Sequence, residues 1–151
     1  MKDIHLVVVG KNKDDSLSTW ENNFTKRLKT IGLKIHELKY LESKSKNDAQ
    51  VIHKIHQLSE NSTKKIILLD EKGKSLTSRK FSEFIFKNLE DYKNLFFVVG
   101  GADGHGDEIK QIAHEKIKLS DLTLPHRLAR VIFTEQLYRA ESIYLNHPYH
   151  K

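Results

Sequence analysis

The C-terminal tail of the chain concentrates side chains that can take part in chemistry. Its last six residues, NHPYHK, contain His147 and His150, three positions apart, with Tyr149 between them. An imidazole with an unperturbed pKa of about 6.5 accepts protons at neutral pH, and aromatic rings stack on nucleobases. Two histidines are too few ligands for a metal site, so we expect no metal. The tail predicts proton transfer or base stacking, with a docked or frayed terminus as the plain alternative.

A second candidate is the glycine-rich segment at residues 100–106, GGADGHG, which follows the apolar run LFFVV. Adjacent glycines such as Gly100 and Gly101 let a backbone approach a ligand closely. The pattern is not the phosphate-binding GxxxxGK[ST], nor the dinucleotide-binding GxGxxG, which would follow the first strand. The segment therefore predicts a ligand-binding loop of another kind, or a turn without a ligand.

Apolar strands alternate with amphipathic helices along the whole chain, and these elements must position the candidate residues. The predicted strands cover residues 4–9, 33–41, 65–69 and 95–99. The predicted helices cover residues 14–30, 49–59 (capped by Asp48), 75–89, 108–116 and 125–145. This alternation predicts an α/β fold with a mainly parallel sheet and helices on both faces. At 151 residues we expect one domain spanning residues 1–151.

Ligands of open α/β sheets bind at the carboxyl ends of the strands. Three loops fit that position, at residues 69–74, 100–106 and 119–124. The sequence therefore predicts one ligand site built from these three loops.

Composition limits the class of protein. The formal net charge is +6, and residues 1–75 hold 15 Lys/Arg against 10 Asp/Glu. This excess predicts a polyanionic partner such as RNA, or simply a lysine-rich surface. The absence of cysteine excludes disulfides and thiolate chemistry. With no apolar run near 18 residues and no signal-peptide pattern, we expect a cytoplasmic protein that does not span a membrane.

The last predicted helix, at residues 125–145, has more apolar positions than a single stripe requires. A helix that is covered on two sides suggests a subunit partner in addition to its own sheet. Its Arg130 and Arg139 fall on broadly the same side, where each either binds RNA phosphate or remains a surface charge.

The segments TLPHRLARV (123–131), EQLYRA (135–140) and NHPYHK (146–151) resemble the C-terminal signature of the bacterial ribosomal RNA large-subunit methyltransferase H family. These are small members of the SPOUT, or trefoil-knotted, methyltransferases. LLD at 68–70 and GG at 100–101 also match. The resemblance implies a C-terminal trefoil knot and S-adenosyl-L-methionine as cofactor. It also implies methylation of N3 of a pseudouridine in the 23S ribosomal RNA of the assembled ribosome, by a homodimer whose active sites are composite.

Carried over to this chain, the resemblance assigns the cofactor to the three loops. The residues are Leu69, Gly100, Gly101, Leu119, Ser120, Asp121, Leu122, Thr123 and Leu124. It places His150, Tyr149 and Arg139 at the substrate base. We take His150 as the first choice of proton acceptor and His126 as the second.

Two features of the sequence stay open beside this resemblance. The family's glycine loop usually continues GG-P, whereas this chain has Ala102 and Asp103, and the role of Asp103 is not predicted. The basic residues near the N-terminus either contact ribosomal RNA or form a solvated face; they are Lys11, Lys13, Lys26, Arg27 and Lys29.

Two other functions are compatible with this scaffold. One is a non-catalytic RNA- or ribosome-binding module, which need not retain cofactor affinity. The other is a nucleotide-binding protein of flavodoxin type, which predicts a phosphate site at an earlier strand–helix loop. Fold alone does not decide among them.

Overall fold

The computed structural model describes residues 3–151, in which strands and helices alternate. The strands are β1 (Asp3–Val9), β2 (Gly32–Leu38), β3 (Lys64–Ser75), β4 (Asn94–Val99) and β5 (Glu115–Lys118). The helices are α1 (Asp15–Arg27), α2 (Lys44–Leu58), α3 (Ser78–Asp91), α4 (Asp107–Ile112) and α5 (His126–Tyr144).

The strands form one sheet in the order β2-β1-β4-β3-β5, and every neighbouring pair is parallel. The predicted α/β class with a parallel sheet is therefore confirmed. In parallel sheets the carboxyl ends of all strands share one edge, so the loops after β4 and β5 lie close to Leu69, where the pairing of β3 with β4 ends. This edge is the one on which the sequence placed the ligand site.

Helices cover both faces of the sheet, as predicted. On one face, Phe97 of β4 packs with Phe81 of α3 and Phe133 of α5. On the other face, Phe96 belongs to a buried cluster with α2 and α4 that includes Val51 and Ile109. Burial on both sides explains why β1 and β4 are almost uninterrupted apolar runs. Within residues 3–151, no helix combines the length and the hydropathy needed to cross a membrane.

Two local predictions were wrong. The expected helix at residues 108–116 is the short α4 followed by strand β5, whose sequence EKIK has one apolar residue, Ile117. The expected cap Asp48 lies inside α2, whose N-cap is Ser43. In both cases the deciding contacts are tertiary, since β5 pairs with β3 and Asp48 binds α4.

Strand β3 pairs with β5 on both sides of a bulge. Leu69 and Lys74 are both register partners of Ile117, and the four residues between them loop outwards. A Cβ atom on Gly73 would lie 2.5 Å from the Ile117 carbonyl carbon, so only glycine fits there. The predicted loop at residues 69–74 thus lies within β3, as a bulge beside the end of β5, and not after the strand. The trefoil knot itself remains a prediction.

A buried carboxylate ties α5 to the turn before β2. Glu141 accepts hydrogen bonds from the backbone N–H groups of Lys29 (2.9 Å), Thr30 (2.6 Å) and Ile31 (3.1 Å) and from the Thr30 hydroxyl (2.7 Å). Burial opposes the ionised form, but these donors outweigh it and hold the pKa of Glu141 below its ordinary value of 4.5. This carboxylate is thus one of the contacts that hold α5 in place, in addition to the packing of Phe133 and Leu137 in the core.

We expect Glu141→Gln to lower the free energy of unfolding by about 3 kcal/mol at pH 7, because the amide cannot accept from all these donors. Because the folded-state pKa is depressed, the stabilisation is present above pH 4.5 and is lost as the pH falls through the lower folded-state value. Urea unfolding at pH 7 and at lower pH tests this, with exposed Glu83→Gln as the control. An equal loss of stability in the two variants at pH 7 would contradict this account.

Candidate functional site

A cavity of about 570 Å³ lies where β3, β4 and β5 end and α5 begins. Its wall is formed by residues 69–72, 99–105, 118–120 and 122–126, together with Lys44, Lys110 and Ala129. This volume is typical of sites for small organic ligands and cofactors. The three loops predicted from the sequence thus surround one cavity.

Eight of the nine residues predicted to bind the cofactor line this cavity: Leu69, Gly100, Gly101, Leu119, Ser120, Leu122, Thr123 and Leu124. The ninth, Asp121, does not line it. Its side chain is 82% exposed and pairs with Lys118 at 2.5 Å. Leu122 is 77% exposed although it is apolar, so this part of the wall is open for a ligand or a second chain to cover.

Neither of the two adjacent glycines has room for a side chain. A Cβ atom on Gly100 would lie 3.0 Å from the Gly104 carbonyl carbon, and one on Gly101 would lie 3.0 Å from the Tyr40 ring. Gly104, at φ +80°, donates its N–H to the Gly101 carbonyl at 2.9 Å, which closes a tight turn. Backbone groups of this turn are therefore free to approach a ligand closely.

Asp103, whose role the sequence left open, anchors the glycine loop. The Tyr40 hydroxyl donates to Asp103 Oδ2 at 2.6 Å, and this bond to a carboxylate raises the pKa of Tyr40. Tyr40 belongs to the segment between β2 and α2, so the contact joins two loops at the same edge. The departure from the usual GG-P sequence is thus accompanied by a hydrogen bond that fixes the loop.

We expect Tyr40→Phe to weaken cofactor binding several-fold without unfolding the chain, because Asp103 loses its only side-chain donor within residues 3–151. The ring contact with Gly101 is kept in this variant. Isothermal titration with S-adenosylmethionine measures the effect, and Tyr92→Phe serves as the control. An unchanged affinity would show that Asp103 does not need this anchor.

His105 and Asp48 support the same loop, although the sequence did not predict a role at this site for either of them. Nε2 of His105 donates to the Leu69 carbonyl at 2.9 Å, and burial lowers the pKa of His105, which favours the neutral ring. Asp48 accepts from the backbone N–H groups of Gly106 (3.1 Å) and Ile109 (3.2 Å) and so caps α4. No sequence signal linked Asp48 to residues about 60 positions away.

The predicted substrate residues Arg139, Tyr149 and His150 form a second cluster together with Glu135. We call these four residues the tail cluster. Arg139 binds Glu135 Oε1 through Nε (3.0 Å) and Nη2 (2.6 Å) and contacts His150 Nδ1 through Nη1 at 3.0 Å. The Tyr149 hydroxyl donates to the same Glu135 oxygen at 3.0 Å, beneath the Arg139 guanidinium. Glu135 organises the cluster, and its place four residues before Arg139 was the signal that sequence reasoning missed.

The tail cluster and the cavity are not adjacent within one chain. None of Arg139, Tyr149 and His150 lines the cavity, whereas His126 does. At 1.5 Å per residue, the helix separates His126 from Arg139 by about 20 Å. The cavity and the tail cluster thus lie at separate positions along α5.

His126, the second choice of proton acceptor, lies in the cavity wall. Burial, together with the charges of Arg127 and Arg130, lowers the pKa of His126 below its ordinary value of 6.5. The imidazole is therefore mainly neutral at pH 7 and able to accept a proton.

Arg130 does not have the surface role that the sequence allowed for it. It is buried and makes two hydrogen bonds to Glu21 (2.8 and 2.9 Å) and one to Glu37 (2.6 Å). This ion cluster joins α5 to α1 and β2. Arg139, whose side chain is 25% exposed against 4% for Arg130, is the more accessible of the two arginines.

Comparison with known proteins agrees with this architecture. The family described as "Predicted SPOUT methyltransferase" matches residues 1–150. The ribosomal RNA large subunit methyltransferase H of Nitrosomonas eutropha is 37% identical over 158 residues, which cover 98% of each chain. The protein of the same name from Dechloromonas aromatica is 45% identical over 87 residues, covering 58% of this chain and 56% of its own length.

The family match covers nearly the whole chain, and the similarity to the relative from Nitrosomonas eutropha extends over almost the full length of both chains. The parallel sheet and the three loops around the cavity are consistent with that match. This chain therefore belongs to the SPOUT methyltransferases and, among them, to the ribosomal RNA large subunit methyltransferase H family.

Proposed function

We propose that this protein is a methyltransferase that uses S-adenosyl-L-methionine to methylate N3 of a pseudouridine in the 23S ribosomal RNA of the assembled ribosome. The observation that carries the proposal is the cavity of about 570 Å³ formed by the three strand-end loops. The names of the relatives point to ribosomal RNA as the substrate. Acting on ribosomes, the protein would work in the cytoplasm.

The cavity residues fit this cofactor. Leu69, Leu119 and Leu124 offer apolar surface to an adenine ring. The backbone of Gly100 and Gly101, which also lines the cavity, offers hydrogen-bond donors and acceptors. When bound there, S-adenosylmethionine supplies an electrophilic methyl group. Asp121, which points to solvent, has no part in binding it under this proposal.

The contact with Arg139 defines the role that we propose for His150. An arginine only donates, so Nδ1 of His150 must accept, and the neutral ring then carries its proton on Nε2. Nε2–H is a donor that suits a carbonyl oxygen of the target base. Under this proposal His150 and Tyr149 hold the base, and Arg139 fixes both through Glu135.

His126 is then the better proton acceptor for the target nitrogen. It lies in the cavity wall, and its lowered pKa keeps it neutral at physiological pH. A neutral base next to the reacting nitrogen removes the proton that blocks methylation.

We expect His126→Gln to reduce kcat on the order of 100-fold or more, with little change in cofactor affinity, because the amide cannot accept the proton. The wild-type rate should be flat above pH 7 and fall with acidification only below 6.5, the ordinary value that burial depresses. Single-turnover methylation across this range tests both statements. A Gln variant with a wild-type rate would remove His126 from the mechanism.

The separation of the cavity and the tail cluster supports a homodimer. Arg139 lies about 15 Å along α5 from Ala129, the cavity-lining residue nearest to it on the helix, which is too far for direct contact with a base held in the cavity of the same chain. In a symmetric dimer, the tail cluster of one chain can complete the cavity of the other. The exposed Leu122 beside the cavity is available for that contact.

The direct test of the proposed function is methyl transfer from radiolabelled S-adenosylmethionine to ribosomes from a strain that lacks this modification. Nucleoside analysis of the 23S RNA should show one methylated pseudouridine per ribosome. Ribosome binding without cofactor binding or methyl transfer would instead favour a non-catalytic ribosome-binding module on the same scaffold.

A further inference from the structure

The stretch from the end of β2 into the first turn of α2 carries exposed lysines beside the cavity. We call residues 39–46, KYLESKSK, the β2–α2 rim. Its lysines, Lys39, Lys44 and Lys46, are all exposed, and within residues 3–151 none of them forms an ion pair. Lys44 lines the cavity, so the rim is continuous with the proposed cofactor site. Glu42 is the one acidic residue of the rim.

The rim backbone is held in place by α2. Asn47 brackets Leu41, accepting its N–H at 2.9 Å and donating to its carbonyl at 2.8 Å. Gln50 donates to the Lys39 carbonyl at 2.6 Å. The Tyr40 hydroxyl bonds to Asp103 of the glycine loop. The lysines are therefore presented from a fixed surface, which lowers the entropic cost of binding a partner.

Some acidic side chains near this surface are engaged by other groups. Glu37 binds the buried Arg130, Asp48 caps α4 and Asp103 accepts from Tyr40, whereas Asp70 and Glu71 lie in the cavity wall together with Lys44. The first turn of α2 contains Lys44 and Lys46 and no acidic residue, although a helix N-terminus disfavours cations. This placement is unfavourable for the isolated chain, and a bound polyanion would relieve it.

We propose that the β2–α2 rim binds the sugar–phosphate backbone of the substrate RNA next to the cavity, and that Tyr40 stacks on a base of the same strand. This inference rests on the proposed function and assigns the RNA path on the subunit that holds the cofactor. Lysines interleaved with an exposed aromatic ring are the combination that binds single-stranded nucleic acid. Tyr40 is 40% exposed while one ring edge contacts Gly101, so the remaining ring surface is available to a base.

The rim differs from the basic residues that the sequence suggested for RNA binding. Lys26 and Arg27 lie in the last turn of α1, and Arg27 packs over Tyr138 of α5. Because α1 runs back from the carboxyl edge of the sheet, that end of the helix is remote from the cavity of the same chain. The rim is a basic surface directly beside the cavity, whose wall also contains Lys72, Lys110 and Lys118.

The test is the salt dependence of RNA binding by the double variant Lys39→Gln/Lys46→Gln, whose residues do not line the cavity. The matched control is Lys87→Gln/Lys93→Gln, which removes two exposed lysines around the end of α3. Affinity for unmodified ribosomes and for protein-free 23S RNA is measured between 50 and 300 mM KCl, about the range in which counterion release is resolved. Cofactor affinity, measured in parallel, reports an intact fold.

We expect the rim variant to lower the slope of log K against log salt by about 1 to 2 and to weaken binding to both RNAs about tenfold, with the control unchanged. Equal slopes for both double variants would overturn the proposal. A loss with ribosomes but not with protein-free RNA would also overturn it, and would make a ribosomal protein the partner. If the proposed function is wrong, the wild-type protein should bind RNA normally but transfer no methyl group, and this result is distinct from the two above.

A second pair of variants tests the stacking contact. Tyr40→Leu should weaken RNA binding at every salt concentration without changing the slope, since stacking releases no counterions. Tyr40→Phe, which keeps the ring, should bind RNA like the wild type when the cofactor is saturating. If Tyr40→Leu also binds RNA like the wild type, the stacking contact is absent.

Discussion

Ala129→Trp should abolish measurable binding of S-adenosylmethionine. Ala129 lies on α5 and lines the cavity, so an indole at this position occupies the space that we assign to the cofactor. Because the cavity wall is packed against β4 and β5, it cannot move aside without disturbing the core. We expect the affinity to fall by at least about 100-fold, measured by calorimetric titration.

Arg127→Trp is the matched control for this variant. It places the same side chain two positions away, about 200° around the helix, at an exposed residue that does not line the cavity. This control should bind the cofactor with wild-type affinity and one molecule per chain. If Ala129→Trp also binds normally, the cofactor lies elsewhere and the assignment of the three loops is wrong.

The second large effect is expected for Arg139→Ala, which should reduce methyl transfer on the order of 100-fold. Arg139 is the residue that joins Glu135 to His150 and covers the Tyr149 ring. Without it, His150 loses the contact that fixes its tautomer and the Tyr149 ring loses the guanidinium that covers it, while the Tyr149 hydroxyl can still bond to Glu135. A reacting base that is displaced by about 1 Å is enough for a loss of this size.

The cofactor affinity of Arg139→Ala should stay within about twofold of wild type, because Arg139 is about 15 Å along α5 from Ala129, the nearest cavity-lining residue on that helix. Arg139→Lys should be almost as impaired, since an ammonium cannot make the paired contacts to Glu135 and still reach His150. Exposed Arg79→Ala is the control for loss of an arginine. Full activity of the Lys variant would show that Arg139 contributes only its positive charge, and would contradict the role of its paired contacts.

The fold and the cavity were largely predictable because they depend on local patterns. Strands β1 and β4 are apolar runs, and the rule that ligands bind at strand ends drew attention to the three loops at residues 69–74, 100–106 and 119–124. The individual cofactor residues within these loops came from the resemblance to the methyltransferase H family. Strand β5, which precedes the third loop, was not recognised.

What the sequence did not reveal depends on contacts between distant residues. Arg130 has the same spacing pattern as a surface arginine, and only the fold brings Glu21 and Glu37 to it. Asp48 looks like a cap for its own helix but caps α4 instead.

The measurement that tests the central claim most directly is activity after mixing the two inactive variants. If the cavity of one chain works with the tail cluster of its partner, a mixed dimer of Ala129→Trp and Arg139→Ala contains one intact site. Random exchange of equal amounts should therefore restore about a quarter of the wild-type activity on ribosomes. No recovery after verified subunit exchange would show that cavity and tail cluster act within one chain, and would contradict the composite site.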